Sequence, residues 1–108
     1  MYNTLDIPQV LPDDIKERLA RSPHYVSPQA LEALRVLIRE RHRPVPAVEL
    51  AEAIYSTFDA TRVLVHMLRR ALGDDWLHPA YIQTVYQNPY RSQYGYQYIG
   101  PVAESEAS

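Results

Sequence analysis

Apolar residues recur at helical spacing from residue 13 to residue 72 and alternate with polar ones beyond residue 80, and nine prolines mark the breaks between segments. Pro12-Asp13-Asp14 sets a proline and two acids where a helix N-terminus favours them, and Ile15, Leu19 and Ala20 line one side of a short helix that Ser22-Pro23 stops. Ser27 is an N-cap with Pro28 in the first turn, and Leu31, Leu34, Leu37 and Ile38 follow as an apolar stripe. Pro44 and Pro46 force a turn, after which Val48, Leu50, Ala51, Ile54 and Tyr55 fit a second amphipathic helix without a capping side chain. A third runs from Asp59, as N-cap, to Leu72, with Gly73 as its stop. Thr61, Leu64, Val65, Leu68, Ala71 and Leu72 form its continuous apolar face; Arg62, Val63, His66, Met67, Arg69 and Arg70 lie opposite. A helix that needed only solubility would carry Glu and Lys there.

After Pro79 the period becomes two. Tyr81–Tyr86 is a β-branched and aromatic run that predicts a strand, Asn88-Pro89 is a turn signal, and Tyr94–Ile99 is a second β-rich stretch. The second strand begins either near Tyr90, with an added strand after it, or near Tyr94, with a longer wing. Two helices, a tight turn, a third amphipathic helix and a terminal β-hairpin are the order of a winged helix-turn-helix: mainly α with a C-terminal β-hairpin, α+β. The expected organisation is an N-terminal arm and short helix at 1–24, the winged domain at 25–100 and a disordered acidic tail at 101–108.

The 108 residues, with no cysteine, are one domain's worth of chain that must rely on packing rather than disulfides or a thiolate metal site. No run is long and apolar enough for a membrane helix or signal-peptide core, so a cytoplasmic protein with no membrane partner is expected. The formal net charge of −2 hides a distribution: residues 35–100 carry eight arginines against six acids, while both flanks are acidic. Ten of the eleven basic residues are arginine, the side chain suited to bidentate phosphate and guanine contacts. No Gly-rich phosphate loop, G-x-S-x-G, H-E-x-x-H or carboxylate pair is present, so no enzyme and no cofactor is expected. Asp74, Asp75 and His78 lack a further ligand at fixed spacing, so no metal is expected either.

Several segments together resemble the DNA-binding effector domain of OmpR and PhoB-type response regulators. Val26–Leu34 is similar to that family's L-T-P-x-E-F-x-L-L, and Val45–Tyr55 to its V-S-R-E-x-L-x-x-x-V-W. Leu68–Leu72 echoes L-R-R-K-L, Val63–Met67 echoes V-D-V-H-I, and Pro79–Val85 is similar to P-x-L-I-x-T-V, with Tyr90-Arg91 at the family's Y-R. The two recognition-helix echoes differ by two residues in register, and amphipathicity favours L-R-R-x-L, which buries Leu64, Val65, Leu68 and Leu72. Departures are a helical N-terminal region in place of a four-stranded sheet, a wing without the family's glycines, and no receiver domain within the 108 residues.

The resemblance implies a sequence-specific transcriptional regulator of double-stranded DNA, with helix 59–72 in the major groove and the 82–98 wing on the backbone or minor groove. Arg62, His66 and Arg69 form the expected readout row, and Val63 and Met67 would press on thymine methyls. Arg70 and the Arg41-His42-Arg43 cluster would hold phosphates, and Gln87, Asn88, Tyr90 and Arg91 would extend the contact from the wing, beside Tyr86. Only Ser56-Thr57-Phe58 separates Tyr55 from Asp59, where the family's activators carry a longer loop, which favours repression by occupancy over activation. A homodimer formed through the N-terminal arm or an added tyrosine strand is compatible with paired half-sites. The rival is a winged-helix protein-interaction module, such as a small adaptor or a phage-encoded inhibitor of a host protein. Overall acidity, exposed Val63 and Met67, and the tyrosine-rich C-terminus suit that role.

Overall fold

The computed structural model describes residues 11–86 and 93–102. The N-terminal arm, the wing tip and the end of the acidic tail, each given an expected course above, lie outside the described residues.

Helix α1 (Asp13–Arg21) begins after Pro12, carries acids in its first turn and arginines in its last, and buries Ile15. Arg18 fixes it to the domain, since its Nη1 donates to the Leu72 carbonyl at 3.2 Å and its guanidinium lies 5.2 Å from the Tyr81 ring centre. The Tyr81 hydroxyl in turn donates to Asp14 at 2.8 Å. Helix α2 (Pro28–Arg39) starts as expected, with the Ser27 hydroxyl accepting from the Ala30 amide, and buries six residues. Helix α3 (Ala47–Ala53) has no side-chain cap and buries Ala47, Leu50 and Ala51.

Two expectations are corrected around α3 and its exit. Tyr55 does not continue the apolar face: the helix stops at Ala53, Tyr55 takes φ 55°, and its ring is 96 % exposed. Val48 is exposed as well. Helix α4 (Phe58–Leu72) is capped by Thr57, whose hydroxyl accepts from the Ala60 amide at 3.1 Å. Asp59 sits instead in the first turn, where a carboxylate favours the helix dipole. The other end closes as a Schellman motif on Gly73 at φ 70°: the Gly73 amide reaches the Arg70 carbonyl, and the Asp74 amide the Arg69 carbonyl.

The sheet has three antiparallel strands in the order β1 (Val45–Pro46), β3 (Tyr94–Tyr98), β2 (Ile82–Tyr86). The hairpin was expected, and of its two courses the structure has β3 beginning at Tyr94. Strand β1 was not expected, because two residues, one of them proline, carry no alternation to read. It fits because Gly95 lies opposite Pro46, where a Cβ would press into the Val45 carbonyl. Register pairs Ile82 with Tyr98, Thr84 with Tyr96 and Tyr86 with Tyr94. Past the expected boundary at residue 100, the Tyr98 hydroxyl donates to the Pro101 carbonyl and Val102 packs against the core.

The predicted faces meet in one core of Leu34, Leu37, Ile38, Leu50, Leu68, Leu72, Ile82 and Tyr98, all fully buried. Burying each aliphatic side chain contributes roughly 1.5 to 3 kcal/mol. Among the described residues, four helices with a three-stranded sheet make an α+β winged helix, as read from the sequence. Gly95→Ala is expected to lower the unfolding free energy by about 2 kcal/mol, because the added methyl meets backbone rather than a side chain that can turn away. Urea unfolding of the variant checks this, and an unchanged midpoint would contradict the close approach.

Candidate nucleic-acid interface

The face of α4 opposite its leucines is the one the sequence singles out. Arg62, His66 and Arg70 are exposed and Val63 is 61 % exposed. Arg62 has no hydrogen bond or ion pair among the described residues, and Arg70 has only the His24 ring nitrogen at 3.4 Å. From Arg62 to Arg70 the rise is about 12 Å at 1.5 Å per residue, comparable to the width of a major groove.

Arg69, expected in the readout row, turns from it toward the sheet. Its Nη2 donates to the Ile82 carbonyl at 3.1 Å and to the Thr84 hydroxyl at 2.8 Å, and its guanidinium lies 5.7 Å from the centre of the Tyr96 ring. The side chain is half-buried and joins the helix to β2. Burial lowers its pKa from the ordinary arginine value, with Tyr96, Asp74 and Tyr86 opposing. Just past the helix, Asp74 makes the second join. Its carboxylate accepts from the amides of Ala80 at 2.7 Å, Tyr81 at 3.3 Å and Ile82 at 2.9 Å, which sets where β2 begins.

Met67 is half-buried against the core, and its Sδ accepts from the Ser27 amide at 3.3 Å. Both arginines of the Arg41–Arg43 cluster make bonds within the protein. Arg43 pairs with Glu40 at 2.8 Å and with Glu49, bonds that raise its pKa, and Arg41 donates to the Ile38 carbonyl at 3.1 Å. Gln87, Asn88, Tyr90 and Arg91 lie outside the described residues.

Between α4 and the sheet runs an open groove of about 580 Å³, lined by Arg62, Val63, His66 and Arg69 on one side and Thr84, Tyr86, Tyr94 and Tyr96 on the other. Tyr94 is the hub of its aromatic wall, with ring centres 5.6 Å from Phe58, 6.3 Å from Tyr86 and 5.6 Å from Tyr96. Burial pushes the Tyr96 phenol above its ordinary pKa. Sequence reasoning missed Thr84, Tyr94 and Tyr96 as lining residues. Their signal was the alternation Tyr94, Tyr96, Tyr98, which puts all three on the face turned toward the helices. It also missed the turn after α4, where Trp76 and Leu77 are 68 % and 62 % exposed. His78 and Asp75 meet in the same turn through a ring-to-carboxylate contact of 3.4 Å.

No group of three metal-ligating side chains occurs among the described residues, and no described helix is long and apolar enough to cross a membrane. Residues 21–92 match the family model described as "Transcriptional regulatory protein, C terminal". Among curated proteins and among solved structures, none matches the chain.

Asp74→Ala removes the acceptor of three amides and is expected to lower the unfolding free energy by roughly 2 to 3 kcal/mol. Urea titration measures it; a loss below roughly 0.5 kcal/mol would mean that water replaces the carboxylate at no cost.

Proposed function

The chain belongs to the family of C-terminal domains of transcriptional regulatory proteins, a DNA-binding family, and from that premise we propose that it is a sequence-specific regulator reading double-stranded DNA through α4. The observation that carries this is the outward face of α4, where Arg62, His66 and Arg70 stand exposed with no carboxylate bonded to them among the described residues. In the proposed complex Arg62 and His66 meet base edges, Val63 lies against a thymine methyl, and Arg70 takes a phosphate. The wing between β2 and β3 follows the backbone or enters the minor groove, with Gln87, Asn88, Tyr90 and Arg91 as its contacts.

The mode we propose is repression by occupancy, on a cytoplasmic target, by a dimer on paired half-sites. Its support is the four-residue connection from Ala53 to Phe58, which has no room for the longer loop that activators of this family carry. A protein-binding role has one observation of its own: Trp76 and Leu77 are exposed together on a turn held by Asp75, an anchor of the kind enriched at interfaces.

Binding to duplex DNA measured across a salt series tests the proposal. The expected result is binding at about 50 mM salt that falls steeply as salt rises. Arg62→Ala is expected to weaken it about tenfold and relax one base position, whereas Arg43→Ala leaves it nearly unchanged. Absence of binding at low salt would reject the DNA role and favour the Trp76–Leu77 surface.

A further inference from the structure

The outward face of α4 is bounded on both sides by a side chain that bonds to a neighbouring element. At about 100° per residue the order around the helix is Arg69, Arg62, His66, Arg70, Val63, Met67, an arc of about 160°. Arg69, at one edge, bonds to β2, and Met67, at the other, accepts from the Ser27 amide. The sheet therefore flanks one edge of the face, and the segment between α1 and α2, residues 22–27, flanks the other.

That segment is tied in place at several points. The Ser22 hydroxyl accepts from the His24 amide at 3.1 Å, the His24 ring meets Arg70 at 3.4 Å, and Ser27 meets Met67. Exposed His24 and Tyr25, the latter 73 % exposed, wall a groove of about 280 Å³ that Val63, His66, Met67 and Arg70 complete. A guanidinium only donates, so Nδ1 of His24 is the acceptor and the proton of the neutral ring is on Nε2. Nε2–H, the Tyr25 hydroxyl and the Arg70 guanidinium are thus donors beside the apolar surface of Val63 and Met67. Asp14 and Glu17, which share a neighbouring groove with His24 and Arg70, are bonded to Arg18 and Arg21. Donors next to apolar surface match a sugar–phosphate backbone, whose phosphate oxygens accept and whose sugar faces are apolar.

We propose that segment 22–27 is a second backbone contact: His24 and Tyr25, with Arg70, hold phosphates of the DNA strand on the side of α4 away from the sheet, while the wing takes the other strand. A helix about 10 to 12 Å across fills a major groove about 12 Å wide, so elements on its two flanks meet the two strands that border the groove. The inference rests on the DNA reading of α4 and adds to it a contact on the strand opposite the wing.

Affinity for short duplexes of several sequences, measured on the full chain at about 50 mM salt, tests it. His24→Ala combined with Tyr25→Phe is expected to bind about tenfold more weakly, and equally so on every sequence, because phosphates carry no sequence information. Tyr25→Phe alone, which removes one exposed hydroxyl and nothing from the core, is expected to bind roughly threefold more weakly. In the unsubstituted protein the amides of His24 and Tyr25 are expected to shift together with those of Arg62 and His66 on titration with the same duplex, a readout that needs no variant to fold. Unchanged affinity in the folded variants, or silent His24 and Tyr25 amides while α4 shifts, overturns this contact and leaves the DNA reading standing. A loss confined to particular sequences overturns it too, since it would put these side chains on bases. Failure of the unsubstituted protein to bind any duplex overturns both.

Discussion

A half-buried arginine and an aspartate that gathers three amides hold the two working parts of this domain at a fixed angle. Arg69 reaches from the last turn of α4 to the carbonyl of Ile82 and the hydroxyl of Thr84, and Asp74, five residues on, gathers the amides of residues 80 to 82. Both joins carry charge into partly buried ground, where a hydrogen bond to an ionised group is stronger than one between neutral groups. Without them the hairpin would meet the helix only through side-chain packing, and the spacing between helix face and wing would be free to vary. A surface that must fit a duplex in two places depends on that spacing.

The same joins sort the arginines. Arg69 is used internally, Arg43 is neutralised by Glu40 and Glu49, and Arg41 turns back on the end of α2. Among the described arginines of residues 35–100, Arg62 and Arg70 are the exposed ones without a bonded carboxylate, on one helix face and about two turns apart. The positive character of the middle of the chain is thereby concentrated where α4 is most exposed, although the chain as a whole is acidic. Next to that face lies a tyrosine-walled groove that shares Arg62 and His66 with it.

The helices were legible because their apolar stripes are regular and their ends are marked by Ser27, Pro28 and Gly73. The buried face of α4 follows the predicted set from Thr61 to Leu72 without exception. What could not be read depends on contacts between distant residues. Strand β1 exists only because Gly95 lets Val45 and Pro46 approach β3, and two residues carry no period. Arg69 has the same helical spacing as the exposed arginines, and only its acceptors on β2, more than a dozen residues away, set it apart. Arg43 likewise gives no sign in a basic tripeptide that Glu49 waits across the turn. Tyr55 failed for a local reason: an apolar residue one step past a short helix looks like its last turn until the backbone reverses there.

The measurement closest to the central claim is an amide shift map of the protein titrated with a short duplex. The account predicts that Arg62, Val63, His66 and Arg70 shift together with the strands flanking the wing, while residues 41 to 43 stay still. Shifts concentrated on the Trp76–Leu77 turn or on residues 41 to 43, with α4 silent, would contradict it.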